Sequence, residues 1–331
     1  MSADLAVAAS DLVKTYPGGV TALRGVDLAV PAGTVFGLLG PNGAGKSTTV
    51  KVLTTLTRAD SGTARVAGLD VAARPDAVRR AIGCVFQKHA VDPDATGREN
   101  LLLQGHLYGL RGGDLRARAA ELLARFGLAD AAGRLVRTWC GGMQRKLDVA
   151  MGLVHRPRVL FLDEPTTGLD PSARAELWAE IGRLARGEGL TVLLTTHYLE
   201  EADRLADRLA VVDRGRVVVE GTPDRLKAEL RGDALVVELA EPGPVPAVAG
   251  LREVTVEGRT LRARADDGAR AVPAVLAARE AAGLAVASVT VARPSLDDVY
   301  LRHTGRSYAV DGPPPAGAPA PVGAEPAGVA R

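Results

Sequence analysis

The chain of 331 residues is long enough for one large domain or two smaller ones, and 47% hydrophobic residues against 3% aromatics leave a core built from Leu, Val and Ala. Its 41 Lys and Arg nearly balance 39 Asp and Glu, so the formal net charge of +2 argues against a strongly basic nucleic-acid surface. Two cysteines, Cys84 and Cys140, exclude a disulfide framework and point to a reducing, cytosolic setting, and no apolar run reaches the ~20 residues of a membrane-spanning helix.

Residues 1–9 lack a basic start followed by an apolar run, so no signal peptide is expected, and any membrane-spanning part must come from another chain. Apolar or alternating runs at 5–9, 20–23 and 26–30 predict strands, and the unbroken apolar run 35–39 predicts a buried one. A helix is expected over 47–56, a turn between Val66 and Val71, a short helix over 78–82 and a strand over 83–86. From 99 to 155 the apolar residues recur at helical spacing (Leu101, Leu102, Leu107 and Leu110, then Leu115, Leu122, Leu123 and Phe126). This predicts a helical subdomain, about 88–158, inserted into an α/β core. The core resumes with strand 159–162, helix 174–186, strand 191–195, helix 199–204 and strand 208–213. Strands alternating with helices imply a parallel, buried sheet.

A hairpin turn at Asp213-Arg214-Gly215-Arg216 leads into 217–219, and Thr222 caps a helix that has Pro223 at its first position. The first unit is therefore read as residues 1–231. A smaller α+β accessory unit, 232–310, is expected from the alternation of Leu235, Val237 and Leu239, then Val254 and Val256, then Leu261, Ala263 and Ala265. A helix over 272–282 and a strand over 286–291 complete it. Residues 311–331, rich in Pro, Ala and Gly without a hydrophobic pattern, are expected to form a disordered tail.

Three motifs carry chemistry. Gly40-Pro41-Asn42-Gly43-Ala44-Gly45-Lys46-Ser47, with Thr48 next, is a phosphate loop standing between a buried strand and a helix. Its glycines let backbone N–H groups curl around phosphate oxygens, and the helix start adds partial positive charge. Lys46 would reach the β- and γ-phosphates of ATP and Ser47 would coordinate Mg²⁺. The run 159–162 ends in Asp163 and Glu164, where Asp163 can hold Mg²⁺ and Glu164 can take a proton from attacking water. The third motif is Cys140-Gly141-Gly142 at the start of a helical run.

With these in place the sequence resembles the ABC ATPase superfamily, whose signature reads Leu-Ser-Gly-Gly-Gln where this chain has Trp139-Cys140-Gly141-Gly142-Met143. The glycines match and the serine and glutamine do not. The resemblance implies further roles. Tyr16 would stack on adenine, and Gln87 would be a catalytic and metal-contacting residue. Asp170, ending Pro165-Thr-Thr-Gly-Leu-Asp170, would lie where the partner subunit and its ATP meet, and His197 would be the switch histidine. It also implies a homodimer in which Cys140, Gly141 and Gly142 of one copy face the γ-phosphate held by the other. The stretch Arg293-Pro294-Ser295-Leu296-Asp297-Asp298-Val299-Tyr300-Leu301 resembles a segment of daunorubicin-resistance-type ABC subunits. Such subunits energise export of drugs or other hydrophobic compounds through a separate permease at the cytoplasmic face of the cell membrane. By its residues alone the same stretch is a capped helix start. A non-transport ABC ATPase acting on nucleic acid or ribosomes is the alternative. The interval between phosphate loop and signature is too short for a long coiled coil and carries no heptads, and one nucleotide module without repeats disfavours the ribosomal type, so no direct nucleic-acid partner is expected.

Overall fold

In a computed structural model, the described residues are 4–230, 232–240, 248–283 and 285–308; the tail expected to be disordered lies outside them. Two long strands open the chain, β1 (Leu5–Tyr16) and β2 (Val20–Pro31), where the sequence suggests three short ones. The apolar alternation breaks at Ser10-Asp11 because the strand bulges there. Asp11 turns to φ 48°, and the register steps from Ala9↔Leu28 to Leu12↔Val26.

Next come β3 (Val35–Leu39), α1 (Lys46–Leu53), β4 (Ser61–Val66), β5 (Leu69–Asp70), α2 (Pro75–Ala81) and β6 (Ile82–Val85). The first helix stops three residues short of its expected end, since Thr55 lies at φ 65° and turns the chain. The helical region resolves into α3 (Gly97–Leu107), opened by a Thr96–Glu99 capping box, then α4 (Gly112–Arg125) and α5 (Gly141–Leu153). After it follow β7 (Val159–Asp163), α6 (Pro171–Glu188), β8 (Thr191–Thr196), α7 (Leu199–Leu205), β9 (Arg208–Asp213), β10 (Arg216–Gly221) and α8 (Pro223–Ala228), the last capped by the Thr222 hydroxyl. The remainder is β11 (Asp233–Leu239), β12 (Leu251–Glu257), β13 (Thr260–Ala265), α9 (Gly268–Ala281), β14 (Val286–Ala292) and α10 (Leu296–Thr304).

The central sheet has six strands in the order β10-β9-β3-β8-β7-β6, parallel except for β10. Its inner strands β3, β7 and β8 are buried at every position because both faces are covered, and they are mostly apolar. Leu160, Leu162, Val192 and Leu194 pack under the helices α3 to α6. Their neighbours Phe161 and Leu193, with Phe36 and Leu38, pack against the antiparallel sheet β2-β1-β4-β5.

The accessory sheet β12-β13-β11-β14 closes its own small core with α9, through Leu235, Val237, Leu261 and Val275. The last helix does not share that core. Leu296, Val299 and Tyr300 of α10 pack instead with Leu226 and Leu230 after β10, and with Leu39, Leu209 and Val211 of the central sheet.

Candidate active site at the carboxyl edge of the parallel sheet

Strand order brings the candidate residues into one row. Register pairs Leu39 with Thr196 and Asp163 with Thr195, so Gly40, His197 and Glu164 leave adjacent strands at the same edge. Val85 pairs with Leu162, which brings Gln87 alongside. Ligands of open α/β sheets bind at this carboxyl edge.

The phosphate loop is shaped by close backbone approach. A Cβ at Gly40 would lie 2.3 Å from the Val212 carbonyl oxygen, and Gly45, at φ 110°, caps α1 with its Cβ position 2.7 Å from the Ala22 carbonyl oxygen. Gly43 is left-handed, Ala44 is buried with its carbonyl accepting from Gly215 N–H at 2.8 Å, and Pro41, Asn42 and Thr48 lie at or near the surface. Lys46 is only 3% exposed. Its ammonium donates to the Gly40 and Pro41 carbonyls at 2.6 and 3.0 Å and sits 3.8 Å from Glu164 Oε1. Burial lowers its pKa, while Glu164 and Asp163 work in the other direction.

Asp163 Oδ1 accepts from Ser47 Oγ at 3.1 Å and Thr195 Oγ1 at 2.5 Å. Glu164 adopts φ 50°, a left-handed conformation that costs a side-chain-bearing residue energy, held by its N–H donating to Thr195 Oγ1 at 3.0 Å. That turn aims the carboxylate back at the loop, 3.3 Å from His197 Nδ1 and 3.4 Å from Gln87 Nε2. The His197 contact, aided by Lys46, holds the Glu164 carboxyl below the usual carboxylate range although burial opposes it.

Sequence reasoning missed Arg145. It lies on α5, 3% exposed, with its guanidinium spread over four carbonyls: Pro165 at 2.7 Å, Phe86 at 2.5 Å, and Asp163 and Glu164 each at 3.2 Å. One turn further, Asp148 accepts from Ala90 N–H at 2.9 Å and meets His89 Nδ1 at 2.5 Å. The only sequence signal was a charge on the buried face of an apolar helix. Thr195 was equally hidden, inside a run readable as plain strand.

Other candidates lie apart from this row. Tyr16 ends β1 in the antiparallel sheet, with the Lys14 ammonium 5.9 Å from its ring centre. Asp170 caps α6, accepting from Ser172 and Ala173 N–H at 3.0 and 2.9 Å, which starts that helix earlier than its apolar pattern suggests. Cys140 is exposed at the start of α5, Gly141 has open space at its Cβ position, and Gly142 lies against Ala173. Among the described residues no cluster of three or more His, Cys, Asp or Glu suits a metal ion. The Ser47–Asp163 oxygen pair still fits Mg²⁺, which takes few protein ligands and shares the rest with water and phosphate.

The sequence matches the ABC transporter family model over residues 23–167 and that of the C-terminal domain of DrrA1-3-like ATP-binding proteins over 221–304. It is 50% identical over 308 residues to the daunorubicin resistance ATP-binding protein DrrA3 of Streptomyces coeruleorubidus, spanning 92% of this chain and 97% of that protein. The chain belongs to the ATP-binding subunits of ABC transporters, in the daunorubicin-resistance group. This ABC subunit is also 43% identical to the doxorubicin resistance ATP-binding protein DrrA of Mycobacterium tuberculosis (strain ATCC 25618 / H37Rv), over 91% of its own length and 94% of that protein. A third model, an AAA domain (putative AbiEii toxin, Type IV TA system), matches 141–203, the stretch from α5 through Glu164 to His197. Among solved structures, it resembles the dimeric post-hydrolysis ATP-binding cassette MJ0796 bound to ADP and Pi. The TM-score is 0.61 at 27% identity, covering 65% of this chain and 98% of that one. The ABC subunit is thus an ATPase that binds and hydrolyses ATP. Among its described residues no helix is long and apolar enough to cross a membrane.

Proposed function

We propose that this ATPase drives efflux of a drug or other hydrophobic compound through a separate permease, as a homodimer at the cytoplasmic face of the membrane. The carrying observation is the near full-length likeness to daunorubicin and doxorubicin resistance ATP-binding proteins, which includes the C-terminal unit. In this reading residues 1–231 are the ATPase unit, with its helical subdomain at about 88–158, and 232–310 stabilise and regulate the dimer.

ATP binding draws Lys46 from the Gly40 and Pro41 carbonyls to the β- and γ-phosphates, while the 40–48 backbone cradles them and Tyr16 stacks on adenine. Ser47, Asp163 and Gln87 would hold Mg²⁺, which supplies charge neutralisation at the phosphate oxygens. Glu164, kept ionised by His197, takes a proton from the attacking water, and His197 and Gln87 hold that carboxylate in place. Cys140, Gly141 and Gly142 of the second copy meet the γ-phosphate from the far side, with Asp170 at the contact between copies. Loss of phosphate then parts the dimer, and a bound permease converts the motion into two orientations of its substrate path. Leu103 and Leu107 on α3, 55% and 74% exposed, lie on the helical surface where the permease would dock.

Co-expression with a cognate permease, followed by membrane fractionation and crosslinking, tests this reading. The ATPase should reach membranes only with that permease, and crosslinks should map to Gln87 and to the helices within 99–155. Crosslinks confined to 232–310 would refute the docking surface.

A further inference from the structure

Glu201 is a buried acid with no part in the hydrolytic steps described above. It lies in the first turn of α7 and is 0% exposed although it carries a carboxyl. Its Oε1 accepts two hydrogen bonds, from Thr166 Oγ1 and from Trp178 Nε1, each at 2.9 Å. Thr166, equally buried, belongs to the loop that follows Glu164, and Trp178 lies on α6. One carboxyl oxygen therefore joins three elements. Burial pushes the carboxyl above its usual range, while the bonds from Trp178 and Thr166 act in the other direction. An apolar side chain would fill the same space without the cost of burying an acid, so packing does not account for Glu201.

The elements that the carboxyl joins are those that carry Glu164 and His197. These two residues leave the neighbouring strands β7 and β8, where Asp163 still pairs with Thr195. Past that pair the sheet ends, and the Glu164 carboxylate meets His197 Nδ1 at 3.3 Å. On the sheet side of this contact, the Glu164 N–H donates to Thr195 Oγ1 at 3.0 Å. On the far side, Thr166 follows Glu164 by two residues, and Glu201 follows His197 by one helical turn. The backbone from His197 into α7 is firm: Tyr198 N–H donates to Thr196 Oγ1 at 2.9 Å, and the Tyr198 carbonyl accepts from Ala202 N–H at 3.2 Å. The loop is gripped just before Thr166, where Arg145 donates to the Pro165 carbonyl at 2.7 Å. The Thr166–Glu201 bond thus ties the two segments together beyond the edge of the sheet.

We propose that Glu201 is a positioning residue for hydrolysis: by holding Thr166 it fixes the segment of Glu164 against that of His197, and so keeps the base aligned with its partner. The inference rests on Glu164 acting as the base with His197 holding it. Thr166 and Glu201 act through those two side chains.

The test is Thr166→Val in the full-length chain, which keeps the side-chain volume and removes the hydroxyl donor. Affinity for ATP should hold within roughly twofold while kcat falls about three- to tenfold, the scale of one buried hydrogen bond. Thr166→Ser, which keeps the donor and loses a methyl, should retain kcat within about twofold. Glu201→Asp keeps the acid but withdraws it by one methylene, and should show the same split as Thr166→Val. Melting temperatures establish that each variant is folded in the assay. A wild-type kcat in Thr166→Val or in Glu201→Asp would overturn the proposal. So would a Thr166→Ser as slow as Thr166→Val, or a joint fall of kcat, affinity and melting temperature, either of which marks a packing role. Glu164→Gln is measured alongside. If it still turns over ATP, the base assignment fails and the tie with it. If it is inactive while Thr166→Val is unimpaired, only the tie fails.

Discussion

The carboxyl edge of the sheet and the start of α5 differ in how their polar groups are satisfied. At the edge, Lys46, Ser47, Asp163, Glu164, Thr195 and His197 partner one another within one chain. At the helix start, Cys140 is exposed and makes no side-chain cap bond, and Gly141 faces open space. The first region is closed on itself by internal bonds, which in the proposed reading the nucleotide displaces. The second is an open helix end, suited to meet charge on another molecule. Arg145 joins the two: it sits one turn into α5 and grips the backbone that carries Asp163 and Glu164. Arg145 therefore ties the open end to the backbone of the closed one.

The sharpest break of that contrast is Glu164→Gln, expected to leave ATP binding intact and lower hydrolysis by roughly 10²- to 10⁴-fold in steady-state assays. The variant should also dimerise stably with ATP, read by light scattering. Its pH behaviour follows from linkage. Because the Glu164 carboxyl is held below its ordinary value of 4.5, the stability it contributes is fully present above that value and lost as pH falls through the lower, folded one. Denaturation midpoints of wild type and Glu164→Gln should therefore keep a constant gap near neutrality that narrows on acidification below 4.5.

Cutting the link comes next. Arg145→Leu removes the guanidinium from four carbonyls and should destabilise the chain by about 3 kcal/mol or more in urea titrations, since each stranded buried acceptor costs about 1–3 kcal/mol. Turnover should fall with it; wild-type turnover would show that α5 does not align the edge.

The open end gives a smaller effect. A thiol is a weaker donor than a hydroxyl, so Cys140→Ser should retain turnover or raise it by up to about tenfold, and alkylation of Cys140 should abolish it, more slowly when ATP is present. Burial pushes the Cys84 thiol up to about 12, so it should react little, and Cys84→Ala makes Cys140 the sole reporter. An unreactive Cys140 together with an inactive Cys140→Ser would refute its placement at the γ-phosphate. The smallest effect is a null. Deleting residues 311–331 should change neither melting temperature nor turnover, because that stretch has no apolar pattern to bury.

Local pattern was enough to read the runs at 35–39, 159–162 and 191–195, since strands covered on both faces are built almost wholly from apolar and uncharged residues. It was enough for the phosphate loop as well, whose glycines and Lys46 are adjacent in the chain. Caps and bulges were less legible: α6 starts at Pro171 because Asp170 caps it, and β1 runs on through Asp11 because a bulge absorbs the misfit.

By itself, then, the sequence determined the elements, the loop, the Asp163–Glu164 pair and the family likeness, all of which rest on residues close together along the chain. Strand order and long-range packing decided the rest. Only the order β3-β8-β7-β6 places Gly40, His197, Glu164 and Gln87 in one row. Only the packing of α5 under β6 and β7 turns Arg145 into a brace, and only the return of α10 brings Tyr300 and Arg306 to Asp213. Those bonded partners are 18 to 93 residues apart in the chain, and nothing periodic in the sequence records them. Side chains so distant meet because burying apolar faces dictates how the elements stack, and the polar groups carried along must then find partners where they land.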